Sequence, residues 1–139
     1  MQKIVIDTSV IIKWFSGKKE RHLDQADLVL QKVAKEELGL LTLDLVYYEL
    51  INALFWGKKL SASKIAEALT VFSQIPMSVF AYEEALLKIG AKLMKKSEVS
   101  FYDAAFAALA QKEKCPLLSA DEKHHGKLKN VLLLKDYKI

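Results

Sequence analysis

Short apolar or β-branched runs recur along the chain, and helical patterns fill the intervals between them. The runs fall at residues 3–6, 40–42, 78–80, 116–119 and 131–134, too short for helices and suited to buried strands. The first ends at Asp7-Thr8-Ser9 and runs into a helix. Residues 23–38 carry Leu23, Ala26, Leu30, Val33 and Ala34 at helical spacing, and Gly39 is the expected stop. Asp44 is the expected N-cap of a helix reaching Gly57, and Ser61 that of another ending near residue 75, before Pro76. Residues 82–96 and 100–112 supply two more. Strands alternating with helices predict a parallel sheet covered on both faces, an α/β chain built as a three-layer α/β/α sandwich with a mainly parallel central sheet.

In such sheets ligands bind beyond the carboxyl ends of the strands. Asp7 follows the first strand directly and Asp121 lies just past residues 116–119, so both are expected on one rim. The length, 139 residues, suits one domain spanning residues 1–139, and 52% hydrophobic residues are ample for a core. No apolar span is long enough for a bilayer. Asp7 and Lys13 interrupt the apolar start, so a signal peptide is not expected. Cys115 is the single cysteine and has no disulfide partner within the chain, which points to a reduced, cytoplasmic home.

Charge adds a mild bias. The net charge is +4 and Arg21 is the one arginine, so a nucleic-acid partner would meet lysines that attract backbone phosphate. Lys18, Lys19, Lys58, Lys59, Lys95, Lys96, Lys123, Lys127 and Lys129 are candidates for such a rim. A lysine- and glutamate-rich surface serving heat adaptation is equally compatible with this composition.

The carboxylates carry more information. Glu49 stands in the run Leu45, Val46, Leu50, Ile51, Ala53, Leu54, Phe55 and Trp56, and shares a helix face with Leu45, Ala53 and Trp56. Asp103 is the one charge in residues 101–110. Buried carboxylates must be paired, neutralised or bound to a cation. Each acid also has a plainer reading. Asp7 could make an Asx-turn or a helix cap, Asp121 could be a turn acid, and Asp103 could close a Ser100-x-x-Asp103 capping box. Glu49 has no capping role in mid-helix, and no basic residue lies at helical spacing from it. Four acids meeting at one rim would repel one another without cations. Hard oxygen ligands in that number suit Mg²⁺ or Mn²⁺, and phosphodiester hydrolysis is the reaction they serve most directly. No Gly-rich phosphate loop favours nucleoside-triphosphate chemistry instead.

Val5-Ile6-Asp7-Thr8-Ser9, Tyr48-Glu49-Leu50-Ile51-Asn52-Ala53-Leu54, Tyr102-Asp103-Ala104-Ala105 and Leu118-Ser119-Ala120-Asp121 resemble, in order, the acidic motifs of PIN domains. Within that family the chain most resembles VapC-type toxins of toxin–antitoxin pairs. The resemblance implies a Mg²⁺- or Mn²⁺-dependent ribonuclease, a homodimer, and inhibition by a VapB-type antitoxin. It assigns Asp7, Glu49 and Asp103 as core metal ligands and Asp121 as the more variable fourth acid. Thr8, Ser9 and Ser119 fall where the family often has site-lining hydroxyls, and are equally compatible with caps and turns. After Asp121 the chain reads Glu122-Lys123-His124-His125, where relatives often place an aromatic residue, so Glu122 could share or take the fourth role. His124 and His125 are read as solvated residues of a lysine-rich loop.

Apolar residues surround the Glu49 helix, Tyr47, Tyr48, Phe55 and Trp56 among them. Either a dimer partner or antitoxin covers one side, or the helix is fully enclosed in the core. Two rival functions stay open: a housekeeping PIN nuclease of RNA maturation or DNA repair, and a catalytically silent PIN-fold binding module. The intact acids argue against the second.

Overall fold

The computed structural model describes residues 1–17, 20–81, 83–125 and 127–138, with the backbone alone described at His124 and His125. Five strands form one sheet in the order β3-β2-β1-β4-β5, every neighbouring pair parallel. They are β1 (Gln2–Ile6), β2 (Leu38–Leu43), β3 (Ser78–Phe80), β4 (Leu117–Ser119) and β5 (Val131–Leu133). The helices between them are α1 (Thr8–Ile11), α2 (Leu23–Ala34), α3 (Leu45–Asn52), α4 (Ala62–Ser73), α5 (Glu84–Ser97), α6 (Phe101–Glu113) and α7 (Glu122–His125). The chain first moves outward, β1 to β2 to β3, and then crosses back to β4. Right-handed crossovers put the helices of those two directions on opposite faces, giving the expected three layers.

The core lies on both sides of β1. Val5, Ile6, Val10, Val29, Val46, Leu50 and Leu54 are fully buried, as are Ala104, Ala108, Leu109, Leu117 and Leu118. Helix α6 packs against β1, β2 and β4, and its whole stretch from Ala104 to Ala110 is buried. Gly90 lets α5 approach it. A Cβ at that position would stand 3.0 Å from the Phe101 ring, tighter than ordinary contacts.

Several boundaries differ from the sequence reading for identifiable reasons. The helix expected over residues 23–38 stops at Ala34. Glu36 adopts a left-handed conformation (φ 59°), Glu37 N–H donates to the Lys32 carbonyl at 2.9 Å, and Glu36 N–H to Val33 at 3.0 Å. That pair of bonds is the Schellman stop that glycine usually makes. Gly39 therefore lies inside β2, and Leu38 opens that strand. Lys114 ends α6 in the same way, with φ 54° and a 3.1 Å bond from Cys115 N–H to the Ala110 carbonyl.

Asp44 does not cap α3 with its side chain, and its N–H instead donates to the Phe80 carbonyl at 2.9 Å, extending the β2–β3 pairing. Past Asn52 the helix widens into a π turn, Ala53–Gly57, where Lys58 N–H reaches the Ala53 carbonyl at 3.1 Å. Ser61 does cap α4, accepting from Lys64 N–H at 3.2 Å. Residues 122–125, read as loop, form the short helix α7, and Leu134 follows β5 in a 3₁₀ turn. Among the described residues no helix is long and apolar enough to cross a membrane.

Candidate active site

Strand order reverses between β1 and β4, because β1 leads outward to β2 while β4 leads outward to β5. Such a switch point opens a crevice at the carboxyl ends of the strands. Asp7 leaves β1 there and Asp121 lies two residues past β4. A cavity of about 150 Å³ occupies this crevice, lined by Asp7, Thr8, Ser9, Glu49, Asp103, Phe106 and Asp121. The four acids singled out in the sequence therefore share one cavity, although they come from four separate segments.

Their surroundings differ. Asp7 is 3% exposed, whereas Glu49, Asp103 and Asp121 are half-buried. The sequence reading set Glu49 on an apolar helix face with Leu45, Ala53 and Trp56, as expected of a buried carboxylate. Instead that face lines the cavity, and Trp56, on the same face, is 66% exposed. Asp103 combines both of its readings. The Ser100 hydroxyl caps α6 by accepting from Asp103 N–H at 3.2 Å and donates to Asp103 Oδ2 at 3.0 Å, so the Asp103 carboxylate supports that cap and also lines the cavity.

Hydroxyls fix the carboxylates in place. Ser9 Oγ donates to Asp7 Oδ1 at 2.5 Å and Ser119 Oγ to Asp7 Oδ2 at 2.7 Å. Thr8 Oγ1 donates to Glu49 Oε1 at 2.7 Å. The same serine oxygens accept backbone N–H groups, Ser9 from Ala120 at 2.8 Å and Ser119 from Asp121 at 3.1 Å. The start of α1 is thereby stitched to the end of β4. Ser119 is buried and does not itself line the cavity; it acts through Asp7 and Asp121.

Phe106 was not foreseen as a wall of the site. Its position three residues beyond Asp103, one helical turn away, is the signal that would have found it. Glu122 is not among the lining residues; it is exposed, with its carboxylate 4.0 Å from the Lys135 ammonium. The side chains of His124 and His125, and Lys18 and Lys19, lie outside the described residues.

Among the described residues that line the acid cavity there is no lysine. Lys96, Lys127 and Lys129 join Lys114 along a groove of about 730 Å³ that also includes Asn130. Lys114 and Asn130 precede β4 and β5, which puts this groove toward the opposite rim of the sheet. Lys58 is half-buried and ion-paired with Glu20, whose carboxylate also stands 3.7 Å from Lys13. Cys115 is buried, and burial pushes its thiol pKa upward, the reverse of what a nucleophile needs.

Among the described residues, the charged groups lining the cavity are carboxylates and the polar groups joining them are hydroxyls, a donor set suited to hard cations. Among the described residues no three acidic, histidine or cysteine side chains stand close enough together to hold a metal ion as they are placed.

The acids of this α/β chain thus gather at the switch point of a parallel sheet, the place where sheets of this kind bind ligands. The chain is a member of the PIN domain family, whose model matches residues 4–129. Among solved structures it is similar to a chain of a toxin–antitoxin complex from Klebsiella pneumoniae, with 17% identity, 98% of this chain and 99% of that chain covered, and a TM-score of 0.70. VapBC2 from Rickettsia felis bound to a promoter DNA fragment is similar at 16% identity, covering 95% and 97%, with a TM-score of 0.71. The sarcin–ricin loop cleaving toxin VapC20 of Mycobacterium tuberculosis is similar at 16% identity, covering 88% and 93%, with a TM-score of 0.66. No curated protein matches the chain in sequence.

Proposed function

We propose that residues 1–139 form one Mg²⁺- or Mn²⁺-dependent endoribonuclease domain, the toxin of a VapBC-type pair, acting in the cytoplasm. The observation carrying this reading is the meeting of Asp7, Glu49, Asp103 and Asp121 in one cavity at the switch point. Membership of the PIN domain family supports the nuclease class, and similarity to toxin–antitoxin structures supports the toxin role. Asp7, Glu49, Asp103 and Asp121 are the proposed metal ligands. The placement of Asp121 on the cavity favours it over Glu122 as the fourth acid.

A divalent cation held there would supply a water acidic enough to attack phosphorus and a charge to offset the leaving oxygen. The chain's own part is positional. Ser9 and Ser119 hold both oxygens of Asp7, and Thr8 holds Glu49, so the carboxylates are aimed before any ligand arrives. Phe106 closes one wall with an apolar ring.

The partner side of the proposal rests on exposed apolar surface. Tyr48, Phe55 and Trp56 are 73%, 48% and 66% exposed, and Ile51 beside them 38%. The fully enclosed helix that the sequence also allowed is not what the fold contains. Surface of this kind is suited to a second copy or to a VapB-type antitoxin.

Incubation of the purified protein with total RNA, in Mn²⁺, in Mg²⁺ and in EDTA, tests the reading. Discrete cleavage products are expected with either metal and none in EDTA. Intact RNA under all three conditions, with the fold verified, would remove the ribonuclease assignment.

A further inference from the structure

A second cavity, of about 200 Å³, opens beyond the carboxyl ends of β2 and β3, on the same rim as the acids. Leu43, Leu45, Leu86 and Phe101 form much of its apolar lining, and Tyr102 and Asp44 also border it. The two cavities share two helical walls. On α6, Phe101, Tyr102 and Ala105 line the slot while Asp103 and Phe106 line the acid site. These are adjacent stripes of one helix, the second offset from the first by a single residue. On α3, Leu45 lines the slot and Glu49, one turn further, lines the acid site.

We propose that this slot binds one nucleobase adjacent to the bond that is cut, and that Tyr102 and Asp44 set the base preference; the proposal rests on the ribonuclease reading above. Tyr102 is 59% exposed and presents an aromatic ring beside the slot. Unpaired RNA bases are recognised by stacking on such rings and by hydrogen bonds along their Watson–Crick edges. The charges bordering the slot, Asp44 and Glu83, are carboxylates, which repel phosphate and accept N–H donors. The occupant is therefore the base and not the backbone. Glu83 is already ion-paired with Lys112, which makes exposed Asp44 the acceptor for the base. A carboxylate takes two donors side by side. Guanine offers its ring N1–H and its exocyclic amino group together, whereas uracil offers one N–H between two carbonyls. Guanine is the preferred occupant.

The test uses the full chain with Mn²⁺ and short unstructured RNAs that differ at the bases flanking the cut. Wild type is expected to favour guanine over uracil at one flanking position. Tyr102→Ala is expected to raise KM roughly tenfold with kcat little changed, and to flatten that preference. Tyr102→Phe keeps the ring and is expected to keep both properties, which separates stacking from misfolding. Asp44→Asn is expected to weaken the guanine preference, read as a fall in the ratio of kcat/KM for guanine-flanked over uracil-flanked RNA. If wild type cleaves and Tyr102→Ala retains both KM and preference, the slot assignment is overturned and the nuclease reading stands. A Tyr102→Ala protein with unaltered preference but a changed sedimentation mass makes the slot a protein contact, which also overturns it. Absence of cleavage by wild type brings down both readings, before any variant is compared.

Discussion

The Thr8 hydroxyl donates a 2.7 Å hydrogen bond to Oε1 of Glu49, joining residues 41 positions apart across the floor of the acid cavity. Thr8 opens the helix that follows β1, and Glu49 lies in the middle of α3. The contact converts a flexible side chain on one helix into a group fixed relative to the first strand. Thr8→Val keeps the shape and removes the donor. Its expected cost in stability is about 1 kcal/mol, a fall of roughly 3–6 °C in Tm. The expected loss in kcat is larger, about ten- to a hundredfold, because a misplaced ligand costs more in rate than in folding. Calorimetry beside RNA cleavage checks the split, and equal small effects on both would count against Glu49 as a site residue.

Ser119 has a different weight. Its buried hydroxyl donates to Asp7 Oδ2 and accepts from Asp121 N–H, so Ser119→Ala loosens two acids at once. Asp7 is 3% exposed and solvent cannot readily replace the lost donor. A destabilisation of about 1–3 kcal/mol is expected from urea unfolding. A variant as stable as wild type would mean that Asp7 does not depend on this donor.

Asp103→Asn separates the two roles of that residue. The Ser100 cap is untouched and the asparagine side-chain oxygen can still accept the Ser100 hydroxyl, so the fold should hold in EDTA. As a ligand, asparagine removes a charge that the proposed cation needs. Mn²⁺ is expected to raise the Tm of wild type, through binding to the native state, and to raise that of the variant much less. Cleavage should be lost. An equal metal response in both proteins, with activity intact, would contradict the assignment.

The cations around Glu20 carry a pH signature. Burial lowers the pKa of Lys13, with Arg21 adding to it, and burial lowers that of Lys58, with Lys13 adding. Each folded-state lysine therefore loses its proton before its unfolded counterpart does. The cost of holding the charge is full at neutral pH and is relieved as pH rises toward the ordinary value of 10.5. Glu20→Gln removes the shared carboxylate and increases that cost. Its Tm deficit against wild type should be largest near neutrality and shrink in alkali, and a deficit independent of pH would refute this account.

Trp56 offers a direct view of the exposed apolar face. If a second copy or an antitoxin helix covers it, Trp56 emission should shift to the blue on association. Tyr48→Ser combined with Trp56→Ser should weaken association in sedimentation without changing the fold. A monomer at high concentration that also fails to bind a co-encoded partner would leave this surface without the proposed role.

Much of this architecture was legible because the relevant signals are local. Residues 3–6 and 116–119 announce strands by their own composition, and an acid at or just past a strand end must stand at the rim, which placed Asp7 and Asp121. Ser61 and Ser100 capped helices as their spacing indicated. Helix stops were harder, because Glu36 and Lys114 take left-handed conformations that their identities do not advertise, while Gly39 serves in a strand. The π turn after Asn52 leaves no mark in an apolar sequence. The face of Glu49 was assigned to the interior since periodicity tells which residues share a face but not whether another layer covers it. The slot beside Tyr102 depends on β2, β3, α3, α5 and α6 meeting, and no stretch of sequence contains it.

The central strand of the sheet is also the first to be made. β1 must wait for its neighbour β4, paired through Val5 with Leu117 and Ile6 with Leu118, and Asp7 must wait for Asp121. Until residues 117–121 are available, one wall of the acid cavity is missing, however well the earlier segments have folded. The acid cavity is therefore assembled only after β4 has been made. This strand order thus separates the synthesis of Asp7 from the completion of the cavity that it lines.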